Sequence, residues 1–221
     1  MNSTTLLRAE GLKKALGGQV VFDALDLKLS QGEVALLRGE NGSGKTTLLN
    51  VLTGNLESDA GTLHYLAGKT PRAYRFPRGW WQDVNPIDHF TPESVAREGV
   101  SRTWQDVRLF NAQTLRDNIA VSEQGHPGEN PLMTLLVPLL SSRREKCINQ
   151  AADAMLARLG LAGREQSSAD MISLGQSKRV AIARSVAAGV RILFLDEPLA
   201  GLDRQGIQDV LRLLESLVKI C

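Results

Sequence analysis

One octapeptide constrains this chain more than any other feature. Residues 39–46 read Gly-Glu-Asn-Gly-Ser-Gly-Lys-Thr, which fits the pattern G-x-x-x-x-G-K-T. The apolar run Val34–Leu37 before it predicts a strand covered on both faces, and the periodicity of Thr46–Thr53 after it predicts a helix that stops at Gly54. A strand, a glycine-rich loop and a helix in this order are typical of a phosphate-binding loop in an α/β fold.

The residue types of this loop suit a nucleoside triphosphate. Small glycines let successive backbone N–H groups surround a phosphate, and the following helix contributes its positive end. We expect Lys45 to reach the β- and γ-phosphates of ATP and the hydroxyl of Thr46 to bind Mg²⁺. The predicted nucleotide contacts are Gly39, Glu40, Asn41, Gly42, Ser43, Gly44, Lys45, Thr46 and Thr47. The alternative is a glycine-rich turn with a solvated lysine.

Two carboxylates follow a second apolar run near the C-terminus. Ile192–Leu195 predicts a buried strand, and Asp196 and Glu197 come directly after it. Ligands of parallel α/β sheets bind at the C-terminal ends of the strands. We therefore expect Asp196 to hold Mg²⁺, directly or through water, and Glu197 to polarise the attacking water as the catalytic base. Acidic residues that only cap a strand are the alternative.

The rest of the chain alternates between strand and helix patterns. The alternation of Leu25, Leu27 and Leu29 and the segment Gly61–Tyr65 predict strands, whereas Thr70–Phe90 has no clean period. From Asn111 to about Asp170 the pattern is helical. The predicted helices are Ile148–Leu159, Gln176–Ala188 and Gln205–Lys219. These patterns favour an α/β core with a helical insertion.

Composition excludes several classes of protein. Lys and Arg number 26 and Asp and Glu 24, a net charge of +2 that argues against a nucleic-acid partner. The apolar run Leu132–Leu140 is far shorter than the roughly 20 residues that span a bilayer. The two cysteines, Cys147 and Cys221, form no metal-binding spacing. We expect a soluble, cytoplasmic protein that reaches a membrane only through a partner.

The stretch Ile172–Gln176, followed by Lys178–Arg184, resembles the signature motif of ATP-binding cassette (ABC) ATPases. It reads Ile-Ser-Leu-Gly-Gln where most members have Leu-Ser-Gly-Gly-Gln. Its start at a helix N-terminus is a second place where an anion is favoured. The resemblance implies that Ser173, Gly175 and Gln176 meet the γ-phosphate of ATP held by an opposing subunit. An ordinary helix cap is the alternative.

Two further segments fall in the order of that family. Leu199–Asp203 resembles the D-loop, which crosses the dimer interface, and the resemblance assigns Asp203 to the nucleotide site. Gln105 resembles the Q-loop glutamine that touches Mg²⁺ and links the site to a membrane partner. Gln82 is its rival, because Trp-Gln-Asp-Val occurs at both 81–84 and 104–107. The residues flanking Gln105 match the ATPases of branched-chain amino-acid importers.

The sequence departs from the family at two places. The family usually stacks an aromatic residue on adenine where this chain has Leu16, which offers only apolar contact. The family also continues past the D-loop helix into a strand that ends in a histidine at the γ-phosphate. This sequence ends at Cys221, and none of its three histidines fits that role. The resemblance therefore implies that the C-terminal end of the domain is missing and that ATP hydrolysis is poor.

The resemblance predicts a P-loop NTPase fold of the ABC cassette type. It has a RecA-like core at about 1–110 and 171–221, an antiparallel β subdomain and a helical subdomain at about 111–170, all in one domain over 1–221. The implied function is the ATP-hydrolysing subunit of an importer of branched-chain amino acids or similar small solutes. It would dimerise around ATP, with an identical or a different ABC subunit, and bind transmembrane permease subunits at the inner face of the membrane. The alternative is a nucleotide-gated ABC module without a transport role, which binds ATP and a protein partner with little turnover.

Overall fold

The computed structural model describes residues 4–68, 70–79, 89–103, 108–123 and 138–220, with the backbone alone at 138–143 and 218–220. These residues divide into two compact units. The first contains the residues up to Arg102, the short segment Arg191–Phe194 and the residues after Leu217. The second contains Thr103–Val190 and Leu195–Leu217. Neither unit is one continuous stretch of chain.

An antiparallel sheet with the strand order β2-β1-β3-β4 dominates the first unit. Its strands are β1 (Thr5–Leu16), β2 (Gln19–Ser30), β3 (Ala60–Tyr65) and β4 (Arg72–Phe76). Gly17 and Gly18 join β1 to β2 with φ of 57° and 84°, the positive values that a two-residue hairpin turn requires. Lys14 and Asp59 tie β1 to the residue before β3 by an ion pair of 2.6 Å.

The core of the first unit joins this sheet to two helices, α1 (Lys45–Leu52) and α2 (Pro92–Arg97). Tyr65, Tyr74, Phe76 and Phe90 form its aromatic part, with Phe90 packed 4.9 Å from the ring of Tyr74 and 5.0 Å from that of Phe76. The hydroxyl of Tyr65 donates to the carbonyl of Leu52 over 3.1 Å. The hydroxyl of Tyr74, equally buried, has no hydrogen-bond partner among the described residues. These two tyrosines therefore differ in how their burial is compensated.

A second, two-stranded sheet pairs β5 (Val100–Thr103) with β6 (Ile192–Leu195). The carbonyl of Gly99 accepts from the backbone N–H groups of both Arg191 and Ile192, which fixes the start of β6. The guanidinium of Arg102 donates to the side-chain oxygen of Asn50 over 2.5 Å and so connects β5 to α1.

The described part of the second unit is helical. It contains α3 (Leu115–Ala120), α4 (Pro138–Arg158), a 3-10 turn (Ala169–Met171), α5 (Leu174–Ala187) and α6 (Arg204–Ile220). Arg116 joins α3 to α4 by donating two hydrogen bonds, of 2.6 and 2.8 Å, to the carboxylate of Asp153. Arg179 joins α5 to α6 through a 3.0 Å bond to Asp209.

Most of the predicted elements are confirmed. The leucine alternation lies in β2, where those three side chains are half-buried and the residues between them exposed. The predicted helix after the loop is α1, and Gly54 follows its end with φ of 75°. The predicted strand Ile192–Leu195 has the observed bounds of β6, and α5 and α6 begin one or two residues before their predicted starts. The division of the domain at about residues 110 and 171 stays a prediction.

The predicted strand Val34–Leu37 is wrong. This run has no regular secondary structure, and the exposed fractions of Val34 and Leu36 are 73% and 72%. A strand needs a neighbouring strand to pair with its backbone N–H and C=O groups, and none of the described strands pairs with this run. Apolar content alone therefore did not make this segment a strand.

Candidate functional site

The predicted phosphate loop is an exposed turn that leads directly into α1. Two of its glycines, Gly42 and Gly44, have φ of 81° and 88°, in the left-handed region that favours glycine. The ammonium of Lys45 donates to the carbonyls of Gly39 and Glu40 over 2.8 and 2.5 Å. The loop is therefore folded around the end of the Lys45 side chain, which brings a positive charge inside its curve.

At two of the loop glycines, an added side chain would meet a neighbouring side chain. A Cβ added to Gly39 would lie 2.5 Å from the hydroxyl oxygen of Ser43. A Cβ added to Gly44 would overlap a methyl group of Val21, on β2. A side chain at Gly39 would force the Ser43 hydroxyl to move, whereas at Gly44 both the Val21 methyl group and the positive φ favour glycine.

The first turn of α1 offers uncompensated N–H groups. Gly44 is the N-cap residue and provides no side-chain hydrogen bond, and the first turn contains no acidic residue. The first amides of a helix lack intrahelical partners and carry the positive end of the helix dipole. Together with Lys45, they fit the oxygens of a phosphate group. Thr46 is exposed and Thr47 half-buried, so the hydroxyl of Thr46 is accessible to a hydrated Mg²⁺ ion.

The predicted carboxylates lie in the second unit, at the end of β6. Asp196 is half-buried and Glu197 is exposed. Glu197 has φ of 46°, which is uncommon for a residue with a side chain and is found often at functional sites. A cavity of about 20 Å³ lies beside both carboxylates, large enough for one water molecule. Its lining residues are Thr103, Lys178, Ala181, Ile182, Asp196, Glu197 and Pro198.

The predicted signature residues form the capped start of α5. Ser173 is the N-cap, its hydroxyl accepts from the N–H of Gln176, and the Gln176 side chain accepts in return from the N–H of Ser173. Arg164 donates to the same Gln176 oxygen over 3.3 Å and to the carbonyl of Met171 over 2.9 Å. The Ser173 hydroxyl can accept the hydrogen bond from the Gln176 N–H and still donate its own proton to an anion. Gly175 follows in the first turn and is half-buried.

Two other predicted contacts have local roles in the fold. Asp203 caps α6, because its carboxylate accepts from the N–H of Gly206 over 2.8 Å. Leu16 ends β1 before the hairpin turn and is 46% exposed, close in sequence to Val20, which is 54% exposed. A nucleotide contact at either residue stays a prediction.

The structure distributes the predicted site residues between the two units. The phosphate loop and Leu16 belong to the first unit, and the carboxylates, the signature residues and Asp203 belong to the second. Gln105 and its rival Gln82 lie outside the described residues. Sequence reasoning gave no role to Arg164 and placed Lys178 only within the stretch that resembles the signature motif, because the partners of both residues are visible only in the fold.

The described residues contain neither a group of three His, Cys, Asp or Glu side chains that could hold a metal ion, nor a helix long and apolar enough to cross a bilayer. A single carboxylate and a hydroxyl on separate elements, as predicted for Mg²⁺, would not form such a group. Mg²⁺ usually binds proteins through one or two ligands together with water and substrate phosphates.

Comparisons with known proteins bear on the family and the fold of this chain. A sequence profile of the ABC transporter family matches residues 22–200. The high-affinity branched-chain amino acid transport ATP-binding protein BraF of Pseudomonas aeruginosa is 31% identical over 215 residues, which are 97% of this chain and 78% of that protein. The corresponding protein LivG of Salmonella typhimurium is 31% identical over 216 residues, with the same coverage.

Solved structures agree in fold. The crystal structure of the ADP conformation of an ATP-binding cassette from an ABC transporter has a TM-score of 0.73 and 27% sequence identity. It matches 98% of this chain and 78% of its own. The chain thus has the α/β fold of an ABC ATPase cassette with an antiparallel sheet, as the sequence predicted. From the family profile, these relatives and the glycine loop that receives Lys45, we conclude that this chain belongs to the ABC transporter family of ATP-binding proteins.

Proposed function

We propose that this chain binds MgATP, dimerises around it and hydrolyses it as the motor subunit of an importer. The observation that carries the proposal is the phosphate loop, in which the ammonium of Lys45 and the uncapped first turn of α1 converge on one curve of backbone. A site of this kind favours the polyanionic end of a nucleoside triphosphate. The similarity to BraF and LivG supports a transport role.

The residues predicted to hold the phosphates and Mg²⁺ each have a defined part in this proposal. Lys45 binds the β- and γ-phosphates, and the N–H groups of the loop bind the remaining oxygens. Thr46, Asp196 and Gln105 would hold Mg²⁺, which neutralises charge on the phosphates when it is bound. In the partner copy, Ser173, Gly175 and Gln176 would face the γ-phosphate.

Glu197 serves as the base. Its carboxylate accepts a proton from water while the water oxygen forms a bond to the γ-phosphorus and the bond from that phosphorus to the bridging oxygen of ADP breaks. ADP and phosphate then leave. The exposure of Glu197 and the small cavity beside it support a role that requires access to water.

The proposal assigns the solute by class only. The two relatives are named for branched-chain amino acid transport, so small amino acids with apolar side chains, or similar solutes, are proposed as the cargo. The permease subunits would carry the solute, and this chain would supply the energy from the inner face of the membrane.

Calorimetry with Lys45→Ala tests the proposal at its central residue. Loss of a charge-assisted hydrogen-bond donor costs about 1.5–3 kcal/mol, which corresponds to roughly a 10- to 150-fold weaker affinity for MgATP. Lys28→Ala is the matched control, because Lys28 is an exposed lysine of the same unit. Equal affinities of the two variants would refute the assignment of the phosphate loop.

Hydrolysis separates the importer from its alternative. We expect Glu197→Gln to bind MgATP normally and to cleave it far more slowly, because the amide cannot accept a proton. Binding of MgATP by the unaltered chain, with cleavage no faster than in Glu197→Gln, would favour a nucleotide-gated module.

Gln105→Ala should reduce the Mg²⁺-dependent rate of ATP cleavage, whereas Gln82→Ala should leave that rate nearly unchanged. The reverse result would move the Q-loop to the other copy of the repeated tetrapeptide.

A further inference from the structure

Lys178 is a buried cation that the proposed mechanism does not use. It lies on α5, five residues after the N-cap Ser173, and only 7% of its surface is exposed. Burial lowers the pKa of its ammonium group, and the nearby charge of Glu197 opposes this shift. Lysine is rarely buried unless its donors have partners. The hydrogen-bond partners of Lys178 therefore indicate what this residue does.

Both partners belong to the turn that carries Glu197. The ammonium donates to the carbonyl of Glu197 over 3.1 Å and to the carbonyl of Ala200 over 2.7 Å. One cation thus holds the two ends of the four-residue segment that follows Asp196. The segment is short and contains Pro198, so fixing its two ends fixes most of its path.

Glu197 needs such support because of its backbone conformation. Its φ of 46° lies in a region that residues with side chains seldom occupy. A strained conformation persists only where the surrounding structure holds it in place. The hydrogen bond from the Lys178 ammonium to the Glu197 carbonyl restrains the backbone of Glu197 directly.

The side chain of Lys178 also shapes the space beside the carboxylate. It lines the cavity of about 20 Å³ together with Asp196 and Glu197. Lys178 therefore affects both the direction of the Glu197 backbone and the wall of the space next to its side chain.

We infer that Lys178 is a positioning residue for hydrolysis: its two hydrogen bonds hold the turn of Glu197 so that the carboxylate faces the attacking water. This inference rests on the proposed function, in which Glu197 is the base. It adds a residue that acts through Glu197 and does not itself touch the nucleotide.

The test measures cleavage of γ-labelled ATP in a single turnover, with the full chain in excess over nucleotide. Lys178→Met keeps the apolar stem of the side chain as far as Cε and removes the ammonium group with its donors. We expect it to slow cleavage at least about tenfold, because small misplacements of catalytic groups cost this much or more. The Kd for MgATP should stay within about twofold, because the phosphate loop is unchanged.

Two further variants separate positioning from a general loss of structure. Lys178→Arg restores N–H donors and should recover part of the cleavage rate. Lys146→Met removes an exposed lysine from α4 of the same unit and should change neither rate nor affinity. If Lys178→Met loses its circular dichroism signal, the comparison is made with Lys178→Gln, which keeps a donor but is one atom shorter. We expect slower cleavage at unchanged MgATP affinity from that variant as well.

The outcomes of this experiment are distinct. Normal cleavage by a folded Lys178→Met or Lys178→Gln variant, alongside lost cleavage in Glu197→Gln, would overturn the positioning role and leave the proposed function intact. Equal losses of cleavage and of MgATP binding, without recovery in Lys178→Arg, would also overturn it, because they indicate only a destabilised fold. Unchanged cleavage in Glu197→Gln, or no cleavage by the unaltered chain, would overturn the proposed function and this inference with it.

Discussion

Replacement of Gly44 by alanine should destabilise the first unit for two separable reasons. The first is conformational: φ is 88°, and the left-handed region costs a residue with a Cβ about 1–2 kcal/mol. The second is steric, because the new methyl group would overlap Cγ1 of Val21. Crowding a stiff β-branched side chain costs about 1–3 kcal/mol. The two effects together predict a loss of about 2–5 kcal/mol in the free energy of unfolding.

Two further changes resolve this sum into its parts. Gly42→Ala is the control for the backbone effect, because Gly42 has φ of 81° and no atom within 4 Å of an added Cβ. It should lose only the conformational part, about 1–2 kcal/mol. Val21→Ala removes the methyl group that the new Cβ would meet. Combined with Gly44→Ala, it should therefore recover about 1–3 kcal/mol of the steric part.

The assay is urea unfolding followed by circular dichroism, applied to the unaltered chain, the three single variants and the double variant. The quantity that decides is the interaction energy between positions 21 and 44 in the double-mutant cycle. If Gly44→Ala costs no more than Gly42→Ala, and Val21→Ala recovers nothing, then Gly44 does not pack against Val21. The space argument for glycine in the phosphate loop would fail with it.

Tyr65→Phe should lower the free energy of unfolding by about 1–2 kcal/mol, because it leaves a buried carbonyl without its donor. Tyr74→Phe should be neutral or stabilising in the same denaturation assay, since it removes a buried hydroxyl that has no partner among the described residues; a reversed order would contradict both assignments. Asp59 should contribute to acid sensitivity, because the hydrogen bond from Lys14 lowers the pKa of its carboxyl group. That stabilisation is complete above the unfolded pKa of about 4 and is lost as the pH falls through the lower folded value, so unfolding free energies of Asp59→Asn should depend less on pH there. Parallel pH profiles for the two proteins would show that this ion pair contributes nothing.

Sequence-based prediction was most accurate for short segments whose structure depends on interactions within the segment itself. Ile192–Leu195 is a compact apolar run followed by two carboxylates, and β6 has those bounds. The loop of residues 39–46 works in the same way, because its glycines, its lysine and the helix after it act within one local segment. Such features depend little on distant parts of the chain.

Elements that depend on neighbours elsewhere were harder to predict. Val34–Leu37 resembles β6 in composition, but it lacks a ladder partner among the described strands and forms no strand. β4 is the reverse case, a strand that the sequence pattern did not predict. Its alternation of exposed and buried residues is only five residues long and lies between Pro71 and Pro77. The strand is therefore recognised only from its pairing with β3.

The predicted site residues show the same difference between local patterns and contacts with distant parts of the chain. Ser173 and Gln176 are three residues apart and form a capping box that their spacing already indicates. In the sequence, Lys178 is one of the charged residues of α5, and no local pattern marks it as buried. Its burial becomes visible only when the turn at Glu197 and Ala200 folds back onto α5.

The conformation of Glu197 also bears on how this position can evolve. Asparagine and glycine tolerate positive φ better than glutamate, so either would relax the backbone at this position. Random substitution under selection for stability alone would therefore move this site away from a carboxylate. In the proposed function, this glutamate is kept for its acid–base chemistry although the backbone conformation disfavours it, and a copy of this gene released from hydrolysis should lose it early.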